Sequence, residues 1–251
     1  MDLPESLKTD TIYECAFELR FVATGNPSAA DLLPGILFRA LRAQFTASRQ
    51  LPFATVPLAL RQQANLRYMP TTVLEGKELS VAFGPNVMVV SMPRPYQGWQ
   101  SVRGRIMECV HAAIEPGLIG NVERISLKYV NLLTLGRTPF DLGQLKVRLE
   151  LDDLVAEGPV AIRSEIQRND CIVVVDIVSG ATVQVTRPQG ESATGVILTV
   201  DAIKRGSFDN TFSQQLPGLL DTVHRTEKEV FFSLLADETL KQLGPSYGTA
   251  H

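Results

Sequence analysis

The chain has 251 residues, of which 45% are hydrophobic and 20% charged, so it can bury a substantial core as one large domain or two small ones. Its formal net charge of −3 argues against a general nucleic-acid binder, which normally carries a basic excess. The three cysteines, Cys15, Cys109 and Cys171, are odd in number and scattered, which favours buried thiols over a disulfide or zinc framework.

The opening segment MDLPESLKTD is acidic and polar, unlike a secretory signal. No apolar run approaches the roughly 20 residues of a membrane span. These features, with the unpaired cysteines, predict a cytoplasmic protein that makes no membrane contact.

The first predicted element is a strand, IYECAFELRF. Its apolar side chains face one way, and Glu14, Glu18 and Arg20 face the other, with the period of two of a half-buried strand. A helix is predicted next, over about residues 31–45, because apolar positions recur there at helical spacing.

The middle of the chain predicts a hairpin, a helix and a strand. The runs ELSVAF and NVMVVSM flank the turn cluster Gly84-Pro85-Asn86, which indicates the hairpin. The segment NLRYMPTTVL reads as an edge strand because Pro70 interrupts it. A helix follows from about Gly98 to just before Pro116, and then the alternating strand ERISLKYVNLL.

This order of elements predicts an α+β fold whose N-terminal half, residues 1–136, is ferredoxin-like (βαββαβ). In such a fold the first and last strands are neighbours. Their polar faces would place Glu14, Glu18 and Arg20 beside Arg124 and Lys128, and opposite charges favour that pairing.

The segment GRTPFDLG, residues 136–143, is the predicted boundary, and residues 144–251 form the second half. Five runs there alternate or are rich in β-branched residues: LKVRLEL, IRSEIQ, CIVVVDIV, ATVQVTR and VILTVDAIK. Short turns join them, which predicts an antiparallel β-meander. A long helix over about residues 213–235 and a short one, ETLKQL, close the chain, and the two halves are expected to pack as one compact unit.

Three places together resemble a sporadically distributed prokaryotic family of uncharacterised proteins. ECAFELRF resembles its first strand, YQGWQSVRGRI followed by RISLKYVNLL its Tyr-x-x-Trp helix and Arg-x-x-x-x-Tyr-x-Asn strand, and LLDTVHRTEKEVFFSLL its closing helix. The resemblance implies an intracellular accessory protein of a mobile or antiviral-defence locus, and it supplies no mechanism.

The closing helix places His224 and Glu227 on or near its apolar face. One interpretation is a metal or general-acid site, which would need further ligands and an open cavity. The favoured interpretation is a buried polar network in which Glu227 meets Arg20, Arg124 or Lys128, because a buried carboxylate needs a partner. Accordingly, no residue is assigned as catalytic or as a metal ligand.

The stretch RPYQGWQSVRGR could clamp single-stranded nucleic acid through Arg94, Tyr96, Arg103 and Arg105. Trp99 belongs to the inner face of its helix, however, which favours a core anchor. No phosphate-binding loop of the G-x-x-x-x-G-K or G-x-G-x-x-G type occurs in the sequence, and no cofactor is expected.

The leading functional hypothesis is therefore a non-enzymatic interaction or regulatory protein that docks on another protein. A nucleic-acid or ribonucleoprotein-complex binder is the first alternative, and a hydrolase using Glu227 and His224 is the second. Self-association into a homo-oligomer stays open.

Overall fold

The computed structural model describes residues 3–25, 31–61, 63–64, 66–150, 152, 158–184, 192–208 and 211–248. The fold is α+β, with a large antiparallel sheet and few helices, which confirms the predicted class. Among the described residues, no helix is both long enough and apolar enough to cross a membrane.

The chain up to the third helix contributes β1 (Ser6–Leu7), β2 (Ile12–Ala23), α1 (Leu33–Ala40), β3 (Phe45–Gln50), α2 (Leu58–Arg61), β4 (Thr72–Gly76), β5 (Ser80–Gly84), β6 (Val87–Pro93) and α3 (Trp99–Ile114). The remainder contributes β7 (Ile119–Leu133), β8 (Ala161–Arg168), β9 (Cys171–Gln184), β10 (Ser192–Phe208), α4 (Phe212–Leu234), α5 (Asp237–Leu243) and β11 (Pro245–Ser246).

In the part of the chain that the structure describes, nine strands form one sheet in the order β3-β4-β5-β6-β2-β7-β10-β9-β8, and β1 pairs with β11 in a separate two-stranded sheet. The predicted hairpin is β5–β6, closed where Gly84 pairs with Val87. The first strand and ERISLKYVNLL are indeed neighbours, as β2 and β7. Apolar residues that face each other across strands, such as Phe17 and Val90, have no exposed surface.

The ferredoxin-like arrangement stays a prediction. The strands β5, β6, β2 and β7 are adjacent in that order, but β3 and β4 come between α1 and β5 along the chain. The sheet that contains them has nine strands, whereas the predicted half has four.

The chain divides into two compact units that are not consecutive halves of the sequence. One unit, called here the α3 unit, consists of Glu14–Leu127 and Ile203–Val223. The other, called the β8–β9 unit, consists of Met1–Tyr13, Lys128–Ala202 and His224–His251. The boundary that the sequence places at residues 136–143 stays a prediction.

Two of the predicted elements differ in length or type. The first helix was expected to reach residue 45 but ends at Ala40, and Phe45–Gln50 is strand β3. Phe45 is the one buried residue of β3, so the strand shows no alternation of buried and exposed residues. Phe45 also continues the helical spacing from Leu41, which extended the predicted helix too far. In the NLRYMPTTVL segment, Asn65 lies outside the described residues, residues 66–68 form a turn, and the strand β4 begins only at Thr72, after Pro70.

The predicted strand LKVRLEL is wrong over residues 145–150, while Leu151 lies outside the described residues. Only Leu145 makes an isolated bridge, to Leu235, and Leu149 is 43% exposed. Alternation without a neighbouring strand to pair with does not make a strand.

The runs CIVVVDIV and ATVQVTR form one strand, β9, up to Gln184, and residues 185–187 lie outside the described part. The strand continues through Gly180, where φ is +69° and the Phe140 ring occupies the space that a Cβ would take. Only glycine fits this position, so it marks a bend within the strand instead of the predicted turn.

Candidate functional site

A concave site lies in the α3 unit where β5 meets the segment before β4. Gly84 ends β5, and a Cβ on it would lie 2.4 Å from the carbonyl oxygen of Met69, so the close approach of these two backbones requires glycine. Thr71 holds the two backbone segments together. Its N–H donates to the carbonyl of Phe83 at 2.6 Å, and its carbonyl accepts from the N–H of Leu51 at 2.8 Å.

The wall of the site is braced by Arg61 at the end of α2. Its Nε donates to the carbonyl of Val56 at 2.5 Å, and its Nη2 donates to the carbonyl of Ala54. These bonds satisfy two backbone acceptors in or just after the short 3-10 helix Pro52–Thr55. The guanidinium therefore holds this segment in place.

The result is an open pocket of about 290 Å³ whose accessible lining is more polar than apolar. Pro34, Ala54 and Phe83 are apolar residues of the lining, and Phe83 is almost wholly buried, with 1% of its surface exposed. Asp31, Gln50, Arg61 and Thr72 contribute the polar lining. A pocket with this lining can accept one side chain and give hydrogen bonds to the polar groups beside it.

Three exposed aliphatic residues adjoin residues that line the pocket, two of them along the chain and one through its backbone. Leu32 is 60% exposed and follows the lining residue Asp31, and Leu60 is 46% exposed and precedes the lining residue Arg61. Met69, 45% exposed, contacts Gly84 of the lining through its backbone. Grouped exposed apolar side chains beside a cavity are typical of an interaction surface, whereas single ones are ordinary.

The edge strand β3 leads into the same site. Its residues after Phe45 are all exposed, and its last residue, Gln50, lines the pocket. It pairs with β4 on one side and is the end strand of the nine-stranded sheet. A bulge between Phe45 and Ala47 interrupts the pairing, and Ala47–Gln50 are in regular register with Thr72–Glu75.

A charged and aromatic cluster lies elsewhere in the α3 unit. Arg20 donates to Glu18 at 2.7 Å, and Arg124 lies 3.5 Å from the same Glu18 oxygen, so the structure brings Glu18, Arg20 and Arg124 together as predicted neighbours. The Arg20 guanidinium also stacks 4.3 Å above the ring of Tyr68.

Tyr68 joins a second ion pair to this cluster. Its hydroxyl donates to Glu123 at 2.7 Å, and Arg67 lies 3.3 Å from the same carboxylate oxygen. Burial raises the pKa of the Tyr68 hydroxyl, and its hydrogen bond to Glu123 raises it further. The carboxylates and guanidiniums compensate each other, which is the pattern of a structural network.

The basic–aromatic stretch is the second predicted site. Arg103 pairs with Asp221 at 3.0 Å, and Arg105 pairs with Glu78. Trp99 donates from its indole N–H to Asp221 at 3.3 Å, whereas Arg94 and Tyr96 are half-buried just before α3. Each of the two arginines in α3 therefore already faces a carboxylate.

The predicted network around Glu227 divides between the two units. Arg20 and Arg124 belong to the α3 unit, and Lys128, His224 and Glu227 belong to the β8–β9 unit. His224 lies beside the ring of Tyr129, with ring centres 6.1 Å apart. The pairing of Glu227 with one of the three predicted basic residues stays a prediction.

Glu227 itself is buried, with 5% of its surface exposed. Removal from water raises the pKa of this carboxyl well above its usual range, and the charge of neighbouring Lys228 opposes that shift. Among the residues that the structure describes, no group of three His, Cys, Asp or Glu side chains could hold a metal ion.

Sequence reasoning missed the pocket because its parts are distant in the chain and chemically ordinary. Arg61 and Thr71 carry no motif, and β3 has no alternating pattern. The one signal present was Gly84, which was assigned to a turn although its close contact is with Met69.

Comparison with known proteins gives no assignment: no protein-family model matches the chain, and no curated protein matches it either. The family resemblance of the three sequence segments therefore stays a prediction.

Proposed function

We propose that this chain is a non-enzymatic docking protein that binds another protein at the pocket beside β3. The observation that carries the proposal is an open pocket at the end of the edge strand β3. Three exposed aliphatic residues, Leu32, Leu60 and Met69, adjoin its lining residues along the chain or through the backbone. Protein interfaces concentrate binding energy where an anchor side chain fills such a pocket and neighbouring apolar contacts exclude water.

The edge strand indicates how the partner is held. An extended segment that pairs with Ala47–Gln50 would gain main-chain hydrogen bonds, and the side chain that follows would reach the pocket at Gln50. Main-chain pairing supplies affinity, and the fit of one side chain in the pocket supplies specificity. The partner segment is thus expected to be extended and to carry one anchor side chain.

We further propose that the scaffold is a ferredoxin-like frame made of β2, α1, β5, β6, α3 and β7, with β3 and β4 as an insertion that builds the pocket. The adjacency of β5, β6, β2 and β7 supports this. Hydrogen exchange of the native protein should then show those four strands as one cooperative set, more protected than β3 and β4. Equal protection of all six strands would contradict the insertion.

The docking function is tested by purifying the tagged full chain from its native host and identifying the proteins that remain bound. Leu32→Glu and Leu60→Glu place a charge beside the pocket and should each release the partner. Leu149→Glu is the control, because Leu149 is an exposed leucine of the β8–β9 unit whose exposure, 43%, is close to the 46% of Leu60.

Titration calorimetry with the recombinant partner then gives the affinities. We expect the two pocket variants to weaken binding at least about tenfold, whereas the control binds like wild type. A partner that binds all four proteins equally, or a wild-type chain that retains no protein, would overturn the proposal. The partner's identity would also test the accessory role that the family resemblance implies, because that role expects a partner encoded in a mobile or antiviral-defence locus.

No specific observation favours the two alternatives. The carboxylates at Arg103 and Arg105 compete with any phosphate for those guanidiniums. A hydrolase needs substrate to reach its acid, and Glu227 is buried.

A further inference from the structure

The strand β8 is the other end of the nine-stranded sheet, and its side chains are exposed almost throughout. Eight successive residue pairs join it to β9 without a register shift, from Ala161 opposite Val178 to Arg168 opposite Cys171. A long, regular edge strand is a template for pairing with another strand, and proteins usually interrupt or cover such an edge.

The turn between β8 and β9 determines which residues of β8 direct their backbone N–H and C=O groups away from β9. Asn169 and Asp170 have φ of +49° and +57°, as in a two-residue type I′ hairpin, so Arg168 and Cys171 form a hydrogen-bonded pair. At the other end, Ser179 donates to the carbonyl of Val160 at 2.9 Å. The even-numbered residues therefore bond to β9.

The odd-numbered residues, including Arg163 and Glu165, point their N–H and C=O groups to the free edge. Among the described residues, no backbone hydrogen bond from outside the hairpin reaches those of Arg163 or Glu165. These groups are available to a further strand.

Among the three registers centred on the middle of β8, at Arg163, Ser164 or Glu165, the charges favour one for a second copy of the same strand. An antiparallel, two-fold pair must match outward residues with outward residues. A pair centred on Arg163 places the two copies of Arg163 opposite each other, and a pair centred on Glu165 does the same with Glu165. Like charges repel in both registers. Centred on Ser164, Arg163 of each strand faces Glu165 of the other, and both contacts are attractive.

The same register also matches the apolar residues. Ile162 of each strand would face Ile166 of the other in close, non-hydrogen-bonded pairs, about 4.5 Å apart at Cα. Within one chain these isoleucines lie opposite Ile177 and Val173, which are buried, while Ile166 itself is 40% exposed. A second copy would thus cover an apolar face that one chain leaves open.

Arg163 gains a second carboxylate in this arrangement. In the single chain it donates to both oxygens of Asp176 at 2.7 Å, and Glu165 lies opposite Val174. Pairing would add Glu165 of the second copy on the other side of the guanidinium, so that Arg163 bridges two carboxylates.

We propose that β8 is a homodimer interface, at which two copies of this chain pair antiparallel about Ser164 and continue their sheets into each other. The partner at this edge is a second copy because the register centred on Ser164 satisfies the outward backbone groups, the charges and the isoleucines of the same eight residues together. This surface is distinct from the pocket beside β3.

The first test is the oligomeric state of the full chain by sedimentation velocity over a range of concentrations. Wild type should be a dimer. Glu165→Arg opposes two pairs of arginines and should raise the dimer dissociation constant at least about tenfold. Glu115→Arg is the matched control, with the same charge change at an exposed position at the end of α3, and it should stay dimeric.

A mixing experiment makes the test specific for self-pairing. Arg163→Glu alone opposes pairs of glutamates, and Glu165→Arg alone opposes pairs of arginines, so each is expected to be monomeric. Mixed together, they place arginines opposite glutamates at both contacts and should form a heterodimer. Circular dichroism of each variant checks that it is folded, since Arg163→Glu also loses its pair with Asp176.

The register is tested by cysteine crosslinking with oxidised glutathione as the oxidant. Ser164→Cys would place two thiols directly opposite each other, within the Cα separation that a disulfide spans. Gln167→Cys is the control, because its two copies would be six positions apart, about 20 Å. The native cysteines are buried and should give little background.

Dimeric wild type, restored pairing in the mixture and crosslinking of Ser164→Cys alone support the proposal. A monomeric wild type, or a dimer that Glu165→Arg leaves intact, overturns it. Crosslinking at Gln167→Cys but not at Ser164→Cys overturns the register.

Discussion

Arg103 of α3 donates two hydrogen bonds to Asp221 of α4, from Nε at 3.0 Å and from Nη2 at 3.2 Å. The bidentate geometry fixes the two helices to each other within the α3 unit. The side chain of Asp221 is 52% exposed, so solvent screens much of this attraction. The pair is therefore a positioning contact more than a source of stability.

A double-mutant cycle should measure this contact. Arg103→Ala and Asp221→Ala are each expected to destabilise the fold slightly, with a coupling energy of about 0.5–1 kcal/mol that decreases as salt is added. Urea denaturation of the four proteins provides the four free energies. Strictly additive losses would show that the two side chains do not act together.

The same contact leads to a prediction about nucleic acid. Because Arg103 and Arg105 already face Asp221 and Glu78, we expect no binding of single- or double-stranded DNA or RNA at low salt. Fluorescence anisotropy of labelled oligonucleotides is the measurement. The alternative function predicts binding that falls steeply with salt and is weaker in the Arg103→Ala/Arg105→Ala variant.

A substitution at Gly84 should disturb the pocket. The Cβ of Gly84→Ala would lie 2.4 Å from the Met69 carbonyl oxygen, which belongs to the backbone and cannot rotate away. We expect a loss of about 1–3 kcal/mol in the free energy of unfolding, measured by urea denaturation, together with weaker partner binding.

Gly104→Ala is the control for that substitution. Gly104 is exposed in the middle of α3, and its added Cβ would meet no atom within 4 Å. Alanine is the better helix former, so this variant should gain about 0.5–1 kcal/mol. If Gly84→Ala were as stable as Gly104→Ala, the backbones of Gly84 and Met69 would not be closely packed, and the prediction would be wrong.

The elements that could be predicted from the sequence are those whose signal is local. β2 and α3 bury one face each, so period two and period 3.6 appear directly in the letters. β3 could not be found, since only Phe45 is buried and its place in the sheet is given by β4. The pocket depends on the distant meeting of Gly84 with Met69, which no local pattern encodes.

Tyr68 should titrate late in the folded protein. Burial and the hydrogen bond to Glu123 raise its pKa above that of an ordinary tyrosine, so its contribution to stability is present below pH about 10 and is lost as the pH rises through the raised pKa. Absorbance at alkaline pH should show one tyrosine fewer ionising in the usual range. Tyr68→Phe should remove that late titration, and an unchanged curve would contradict the assignment.

Two carboxyl groups two residues apart on α4 should respond to pH in opposite directions. Burial raises the pKa of Glu227, whereas the hydrogen bond from Asn169, together with Arg168, lowers the pKa of Glu229. The difference arises because Glu227 is enclosed, while Glu229 is partly exposed and accepts hydrogen bonds from two donors, Asn169 at 3.0 Å and Arg168 at 3.1 Å.

The sign for Glu227 follows from proton binding. Above the unfolded pKa of about 4.3, the unfolded state loses the proton while the folded state keeps it, so stability falls as pH rises, by up to about 1.4 kcal/mol per pH unit, until the raised pKa is reached. Glu227→Gln cannot ionise and should lack this slope. It should therefore become more stable than wild type as the pH increases from 4 to 8.

Glu229→Gln is the internal control, with the opposite sign. The lowered pKa of Glu229 contributes stability that is present above pH about 4.3 and is lost as the pH falls through the lowered value, so the variant should lose stability at neutral pH and approach wild type in acid. Urea denaturation of the three proteins across pH 3–8 gives both differences. If Glu227→Gln instead loses stability at neutral pH, the carboxylate is ionised and paired, as the predicted polar network requires, and its burial is compensated by a basic side chain.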